Sequence, residues 1–136
     1  MKNELIQKLN SREAKVAVVG LGYVGLPLAV VLAEADFDVT GIDVDPEKIE
    51  TLNAGESYIQ DIPTERLKPL VKSGKLQGTT DYSALEDIDA VSICVPTPLR
   101  KTGDPDLSFI VSSVQAMAPH VHSGMVVVLE STTYPG

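Results

Sequence analysis

A chain of 136 residues has room for one compact domain and for no second one of ordinary size. Hydrophobic residues at 43% and charged residues at 22% match soluble globular chains, which excludes the disordered and fibrous classes. Acidic residues outnumber basic ones by 19 to 11, for a net charge of -8, and the basic residues are scattered, so neither a nucleic acid nor an anionic membrane finds the concentrated positive charge it requires.

From the N-terminus, Leu5, Ile6 and Leu9 stand at helical spacing among alternating charges, which predicts an appended helix over residues 1–14 on the edge of the domain. That stretch has no apolar segment and no small-residue cleavage site, so it does not read as a signal peptide. Lys15-Val-Ala-Val-Val19 is a short continuous apolar run, the pattern of a parallel strand buried on both faces. A helix follows through Leu26, Val30, Val31 and residues 33–35, then a second strand over 38–42. Pro46 opens a second helix, which carries Ile49 and Leu52 and ends near Gly55. Leu67, Leu70 and Val71 share one face of a third helix over 64–73, where Pro69 removes an internal hydrogen bond and predicts a kink. Residues 76–80 read as a third strand, and Asp81 as the cap of one short turn. Residues 89–95 and 125–129 are again continuous apolar runs and predict two more doubly buried strands. Between them lies a helix over 107–118 with Asp106 as its N-cap.

Strand and helix alternating in this way predict an α/β fold: a doubly wound parallel sheet with right-handed crossovers, the three-layer αβα arrangement of a Rossmann dinucleotide-binding domain occupying residues 1–136. No run approaches the roughly 20 apolar residues of a membrane helix. A single cysteine, Cys94, allows no intrachain disulfide and points to a cytoplasmic setting.

The informative segment is Val19-Gly20-Leu-Gly22-Tyr-Val-Gly25-Leu-Pro-Leu. Glycines in this spacing are weak evidence alone, because glycine gathers in turns for conformational reasons. Here they follow a buried strand and open a helix. Gly20 can then make the tight turn, Gly22 can admit a pyrophosphate to the backbone, and Gly25 can let helix and strand approach closely. Amides at the helix start carry roughly half a positive charge, which lets an acidic chain hold an anion without a basic patch. Asp43 ends the second strand roughly 20 residues further on, where a carboxylate accepts both hydroxyls of the adenosine ribose. The competing reading is that the glycines shape a turn and Asp43 caps it. A 2′-phosphate about 4 Å from Asp43 or Asp45 would cost on the order of 1 to 4 kcal/mol, and no arginine follows to offset it, so NAD is favoured over NADP. A flavin dinucleotide uses a similar loop and stays open.

Ligands of such sheets bind beyond the carboxyl ends of the strands. Pro96 and Thr97 after the fourth strand, and Ser131 and Thr132 after the fifth, are therefore candidate cofactor contacts, unless their hydroxyls only satisfy local turns. Arg100 and Lys101 are as consistent with a solvated loop as with a substrate phosphate. Cys94 has no basic neighbour in sequence and reads as a packed thiol rather than a nucleophile. His120 and His122 lack a cysteine or carboxylate cluster, so no metal site is expected. Tyr58 and Asp61 sit in a connection that can approach a substrate.

Four segments in order, residues 18–29, Gly41-Ile-Asp-Val-Asp-Pro-Glu-Lys48, Cys94-Val-Pro-Thr-Pro98 and Glu130-Ser-Thr-Thr-Tyr-Pro-Gly136, resemble the nucleotide-sugar 6-dehydrogenases, the group containing UDP-glucose and GDP-mannose dehydrogenases. The resemblance runs from about residue 15 to 136. It implies that Tyr23 and Val24 contact the pyrophosphate, that Asp43 and Lys48 hold the adenosine ribose, and that Thr97 and Thr132 lie by the nicotinamide. Thr132 would stand near the reacting carbon and help to position water. The UDP-glucose pattern has a proline and a glutamate in the loop occupied here by Tyr58 and Asp61. The loop looks more like that of UDP-N-acetylglucosamine or UDP-N-acetylmannosamine 6-dehydrogenases.

Such enzymes oxidise a sugar C6 alcohol to a carboxylate in two NAD-dependent steps through a cysteine-bound intermediate and serve surface-polysaccharide synthesis. The resemblance therefore implies a UDP-sugar substrate whose site lies mostly outside this chain, a nucleophilic cysteine also outside it, and a homo-oligomeric full-length enzyme built on a central dimerisation helix. On this reading the chain is an N-terminal fragment, inactive alone. A stand-alone NAD-sensing module and a UDP-glucose dehydrogenase are the competing expectations.

Overall fold

The structure, a computed structural model, describes residues 14–60, 62–94, 101–103 and 107–129. The helix expected over the first fourteen residues lies almost wholly outside them. Strand β1 (Lys15–Val19) leads through a glycine loop into helix α1 (Gly25–Glu34), and β2 (Asp38–Ile42) into α2 (Pro46–Asn53). Helix α3 (Thr64–Lys72) precedes β3 (Leu76–Thr79), and a 3-10 helix (Tyr82–Asp87) precedes β4 (Ala90–Ile93). Helix α4 (Ser108–Met117), a 3-10 turn (Ala118–His120) and β5 (Val126–Leu129) follow.

The strands form one sheet in the order β3-β2-β1-β4-β5, and every pairing is parallel. Alternation along each strand divides the core in two. On one face Val18, Val39 and Leu76 pack under Leu26, Ala29, Val30 and Ala33 of α1, with Ile49, Leu52 and Leu67 from α2 and α3. On the other, Ala17, Val19, Ile42, Val91 and Ile93 meet Leu85 and Ile88 around the 3-10 helix and Met117 of α4. Helices on both faces make the three layers that the alternating pattern predicts. Each fully buried Leu or Val contributes about 1.5 to 3 kcal/mol, so this double-sided burial is what holds the sheet.

Local signals act as their chemistry requires. Asp45 caps α2 by accepting the Glu47 N–H at 2.9 Å, with Pro46 at the first helical position. Asp81 accepts the Ser83 N–H at 2.9 Å, but the element that it caps runs for six residues, longer than the single turn expected. Helix α3 continues through Pro69 to Lys72, and the Arg66 guanidinium grips the Glu34 carboxylate with two bonds, at 2.9 and 2.7 Å, tying α3 to the end of α1.

Two expectations are corrected. Helix α4 begins at Ser108, so Leu107 holds the N-cap position and makes no side-chain cap; Asp106 lies outside the described residues. Strand β5 is not doubly buried: Val126, Val127, Val128 and Leu129 are each 42 to 50% exposed. Among the described residues its hydrogen-bonded neighbour is β4 alone, which makes it the edge of this five-stranded sheet, with little cover from them over either face. A continuous apolar run looks the same in sequence whether a strand is central or at an edge.

Candidate nucleotide site

Strands β1 and β4 are neighbours, yet the chain leaves β1 toward the α1 face and leaves β4 toward the α4 face. The sheet order reverses at this pair, and the crevice beyond its carboxyl ends is where open α/β sheets bind ligands. The glycine loop stands there. The Gly20 N–H donates to the Ile42 carbonyl at 2.7 Å, and the Cys94 N–H to the Val19 carbonyl at 2.7 Å, so β2 and β4 anchor the loop from either side.

The three glycines serve different purposes. Gly20 turns the chain at a φ of 91°, in the left-handed region that favours glycine. A side chain at Gly25 would collide with the Gly20 carbonyl, because the start of α1 lies directly on the loop. A β-carbon at Gly22 would meet nothing within 4 Å among the described residues, so its side of the loop is open to them.

Helix α1 begins without a cap. Val24 at the N-cap has no side-chain oxygen to offer, and Pro27 in the first turn has no N–H. The N–H groups of Gly22, Tyr23 and Val24 meet no acceptor among the described residues. The positive end of a helix dipole thus opens beside the space at Gly22.

Asp43, 8% exposed at the end of β2, reaches back to this loop. Its Oδ2 accepts the Leu21 N–H at 2.8 Å and its Oδ1 the Asp45 N–H at 2.9 Å. A carboxylate has about four acceptor positions, so two remain after these bonds. Lys48, one turn into α2, is half-buried, whereas Tyr23 projects into solvent at 83% exposure. Pro96, Thr97, Arg100, Ser131 and Thr132 lie outside the described residues, as does Asp61; Lys101 is exposed.

Sequence reasoning left Tyr58 undecided. The structure puts its hydroxyl on the Leu21 carbonyl at 2.6 Å, directly beneath the glycine loop. Burial, then the charges of Asp43 and Asp45, push its ionisation well above the usual tyrosine range, so it stays a donor. The bond spans 37 residues, and nothing local in sequence announces it.

Cys94 is buried in the core at the end of β4, with its sulfur 3.6 Å from the Ser92 hydroxyl. His120 pairs with Glu86 at 2.8 Å, and His122 Nε2 lies 2.7 Å from the Ile88 carbonyl oxygen. An open groove of about 320 Å³ lies elsewhere, between β2, β3 and the 3-10 helix, with Lys15, Asp38, Asp81 and Asp87 in its lining. Its lining runs from Lys15 and Asp38 at the starts of β1 and β2 to Thr79 at the end of β3, and includes neither the glycine loop nor Asp43.

A parallel sheet in the order 3-2-1-4-5, with a glycine loop at its first strand-to-helix turn, is a Rossmann dinucleotide-binding domain. The chain belongs to the UDP-glucose/GDP-mannose dehydrogenase family and is its NAD binding domain: the model of that domain matches residues 14–136. The UDP-N-acetyl-D-mannosamine dehydrogenase of Pyrococcus horikoshii is 38% identical over 90% of this chain and 29% of its own length. The NDP-N-acetyl-D-galactosaminuronic acid dehydrogenase of Ralstonia nicotianae is 41% identical over 89% of this chain and 28% of its own. Among solved structures, the GDP-mannose dehydrogenase of Pseudomonas aeruginosa superposes with a TM-score of 0.82 at 35% identity, covering 90% of this chain and 29% of that one. The chain thus spans under a third of the length of these relatives. Among the described residues, no helix is long and apolar enough to cross a membrane.

Proposed function

We propose that this chain is the NAD-holding part of a longer nucleotide-sugar dehydrogenase whose substrate is an N-acetylated UDP-hexosamine. In this reading the pyrophosphate lies against Gly20, Gly22, Tyr23, Val24 and Gly25, and the adenosine ribose against Asp43 and Lys48. Pro96, Thr97, Ser131 and Thr132 are assigned to the nicotinamide end, with Thr132 beside the reacting carbon. When bound, NAD supplies the acceptor for a hydride leaving the sugar C6. The observation that carries the reading is the start of α1, where Val24 offers no side-chain cap and the N–H groups of Gly22, Tyr23 and Val24 meet no acceptor among the described residues, beside the open side of Gly22.

The chain's own groups suit that ligand in charge as well as in space. Backbone donors at a helix start stabilise a phosphate by dipole and hydrogen bond together, with no lysine or arginine required. The two acceptor positions left on Asp43 match the two hydroxyls of a ribose, and a 2′-phosphate there would meet Asp43 and Asp45 instead of a donor. The substrate class rests on the names of the relatives, several of which are UDP-N-acetyl-D-mannosamine dehydrogenases. A cytoplasmic place, a role in surface-polysaccharide synthesis and a homo-oligomeric whole enzyme complete the proposal.

Calorimetric titration with NAD and NADP tests the assignment of Asp43. NAD is expected to bind more tightly by about 1 to 3 kcal/mol, the scale of a charge-assisted hydrogen bond kept or lost. Equal affinities, or tighter NADP, would overturn it.

A further inference from the structure

Two successive peptide planes of the glycine loop are each held by a side chain from a different segment. The Leu21 N–H, in the 20–21 plane, donates to Asp43 Oδ2 at 2.8 Å. The Leu21 carbonyl, in the 21–22 plane, accepts from the Tyr58 hydroxyl at 2.6 Å. Between them the Leu21 side chain is fully buried and seated against Gly41, where a larger residue would displace it.

In a trans peptide the carbonyl and the following N–H point in opposite directions, and the described peptides are all trans. Fixing the Leu21 carbonyl therefore fixes the Gly22 N–H, which points away from Tyr58. No other donor meets the Leu21 carbonyl among the described residues. Glycine at position 22 offers little steric resistance to rotation of that plane. Without the tyrosine hydroxyl, a buried carbonyl loses its partner and recovers one only by turning, which swings the Gly22 N–H with it.

We propose that Tyr58 is a positioning residue of the dinucleotide site: the bond from its hydroxyl to the Leu21 carbonyl holds the 21–22 peptide plane so that the Gly22 N–H is preset toward the pyrophosphate. This rests on the reading of the glycine loop as the pyrophosphate site. It gives the 55–62 connection a task in cofactor binding although that connection belongs to neither the loop nor the strand bearing Asp43. Presetting a donor matters because a ligand that must first order its site loses that ordering cost from its affinity.

Titration of the 136-residue chain with NAD, ADP and adenosine, as wild type and as Tyr58→Phe, tests the proposal. The variant is expected to bind NAD and ADP about 5- to 10-fold more weakly, the effect of roughly one net hydrogen bond, while adenosine, which has no pyrophosphate, stays within about 2-fold. Replacing the Tyr58 hydroxyl by an amine, as para-aminophenylalanine, keeps a donor in place and is expected to restore most of the loss. Equal weakening of all three ligands marks a merely structural tyrosine, and it overturns the proposal, as does unchanged NAD affinity. Should Tyr58→Phe fail to fold, the wild type decides by NMR. On saturation with NAD the Leu21 carbonyl carbon is expected to hold its resonance while the Gly22 amide nitrogen shifts; a carbonyl that shifts as far overturns the proposal. A wild type that binds adenosine but neither NAD nor ADP overturns the pyrophosphate reading and the clamp together, a pattern distinct from failure of the clamp alone.

Discussion

Leu21 is held at its amide, its carbonyl and its side chain, and the glycines on either side of it divide the labour of the loop. Gly25 is a packing glycine, since a β-carbon there would meet the Gly20 carbonyl and no flexible side chain could yield to it. Gly25→Ala is therefore expected to destabilise the fold by about 1 to 3 kcal/mol or more, as overpacking of a close backbone contact does. Gly22 borders open space, so Gly22→Val is expected to fold and yet to block a pyrophosphate with its branched side chain. Thermal melts and NAD titrations on both variants separate the two roles. A Gly22→Val chain that melts like wild type and still binds NAD normally would show that the loop is not the phosphate site. The three-glycine spacing made the loop legible in sequence, because each position answers a geometric demand of one short segment. The bonds of Asp43 and Tyr58 to Leu21 were not legible, since they join residues brought together only when β2 and the 55–62 connection fold against β1.

At the scale of elements, the strands and helices from β1 to β4 follow their apolar periodicity and caps to within a residue or two, apart from the extended turn after Asp81. The two departures come from information that periodicity does not carry. Asp106 looks like a cap because of its type, but the chain enters α4 one residue later, through Leu107. The Val126–Leu129 run looks central because of its composition, while its place at the sheet edge is fixed by which strands lie beside it. Pro69 shows tertiary packing overriding propensity: α3 keeps its helical course because Leu67 is anchored in the core and Arg66 is tied to Glu34. The proline still removes one backbone bond, to the carbonyl of Glu65. Pro69→Ala is thus expected to stabilise the chain by about 1 to 3 kcal/mol, read as a melting-temperature rise of several degrees. An unchanged or lower melting temperature would mean that the proline's restriction of the unfolded chain outweighs the missing bond.

For the molecule as a whole, the acidic balance and the anionic ligand are reconciled by where the positive character resides. On the proposed reading it sits in a helix terminus and not in side chains, so the net charge of -8 opposes nucleic acids without forbidding a pyrophosphate. The same economy limits what the chain does alone. Oxidising an alcohol through to an acid requires a hydride acceptor, a base, and a nucleophile to capture the aldehyde. Cys94 is the single thiol in the chain, and it is buried in the core with its sulfur near the Ser92 hydroxyl, an apolar setting that disfavours a thiolate. Both histidines are engaged elsewhere, His120 with Glu86 and His122 with the Ile88 carbonyl. Orientation of a sugar carbon against a bound nicotinamide can supply about 7 to 11 kcal/mol of a barrier, but only where a substrate site exists to impose it. The 136-residue chain is therefore expected to bind NAD and to produce no NADH from a UDP-hexosamine, as followed by NADH absorbance. Steady NADH formation that disappears in Cys94→Ser would place the nucleophile inside the core of this domain, and the reading of Cys94 as a packed thiol would have to be abandoned.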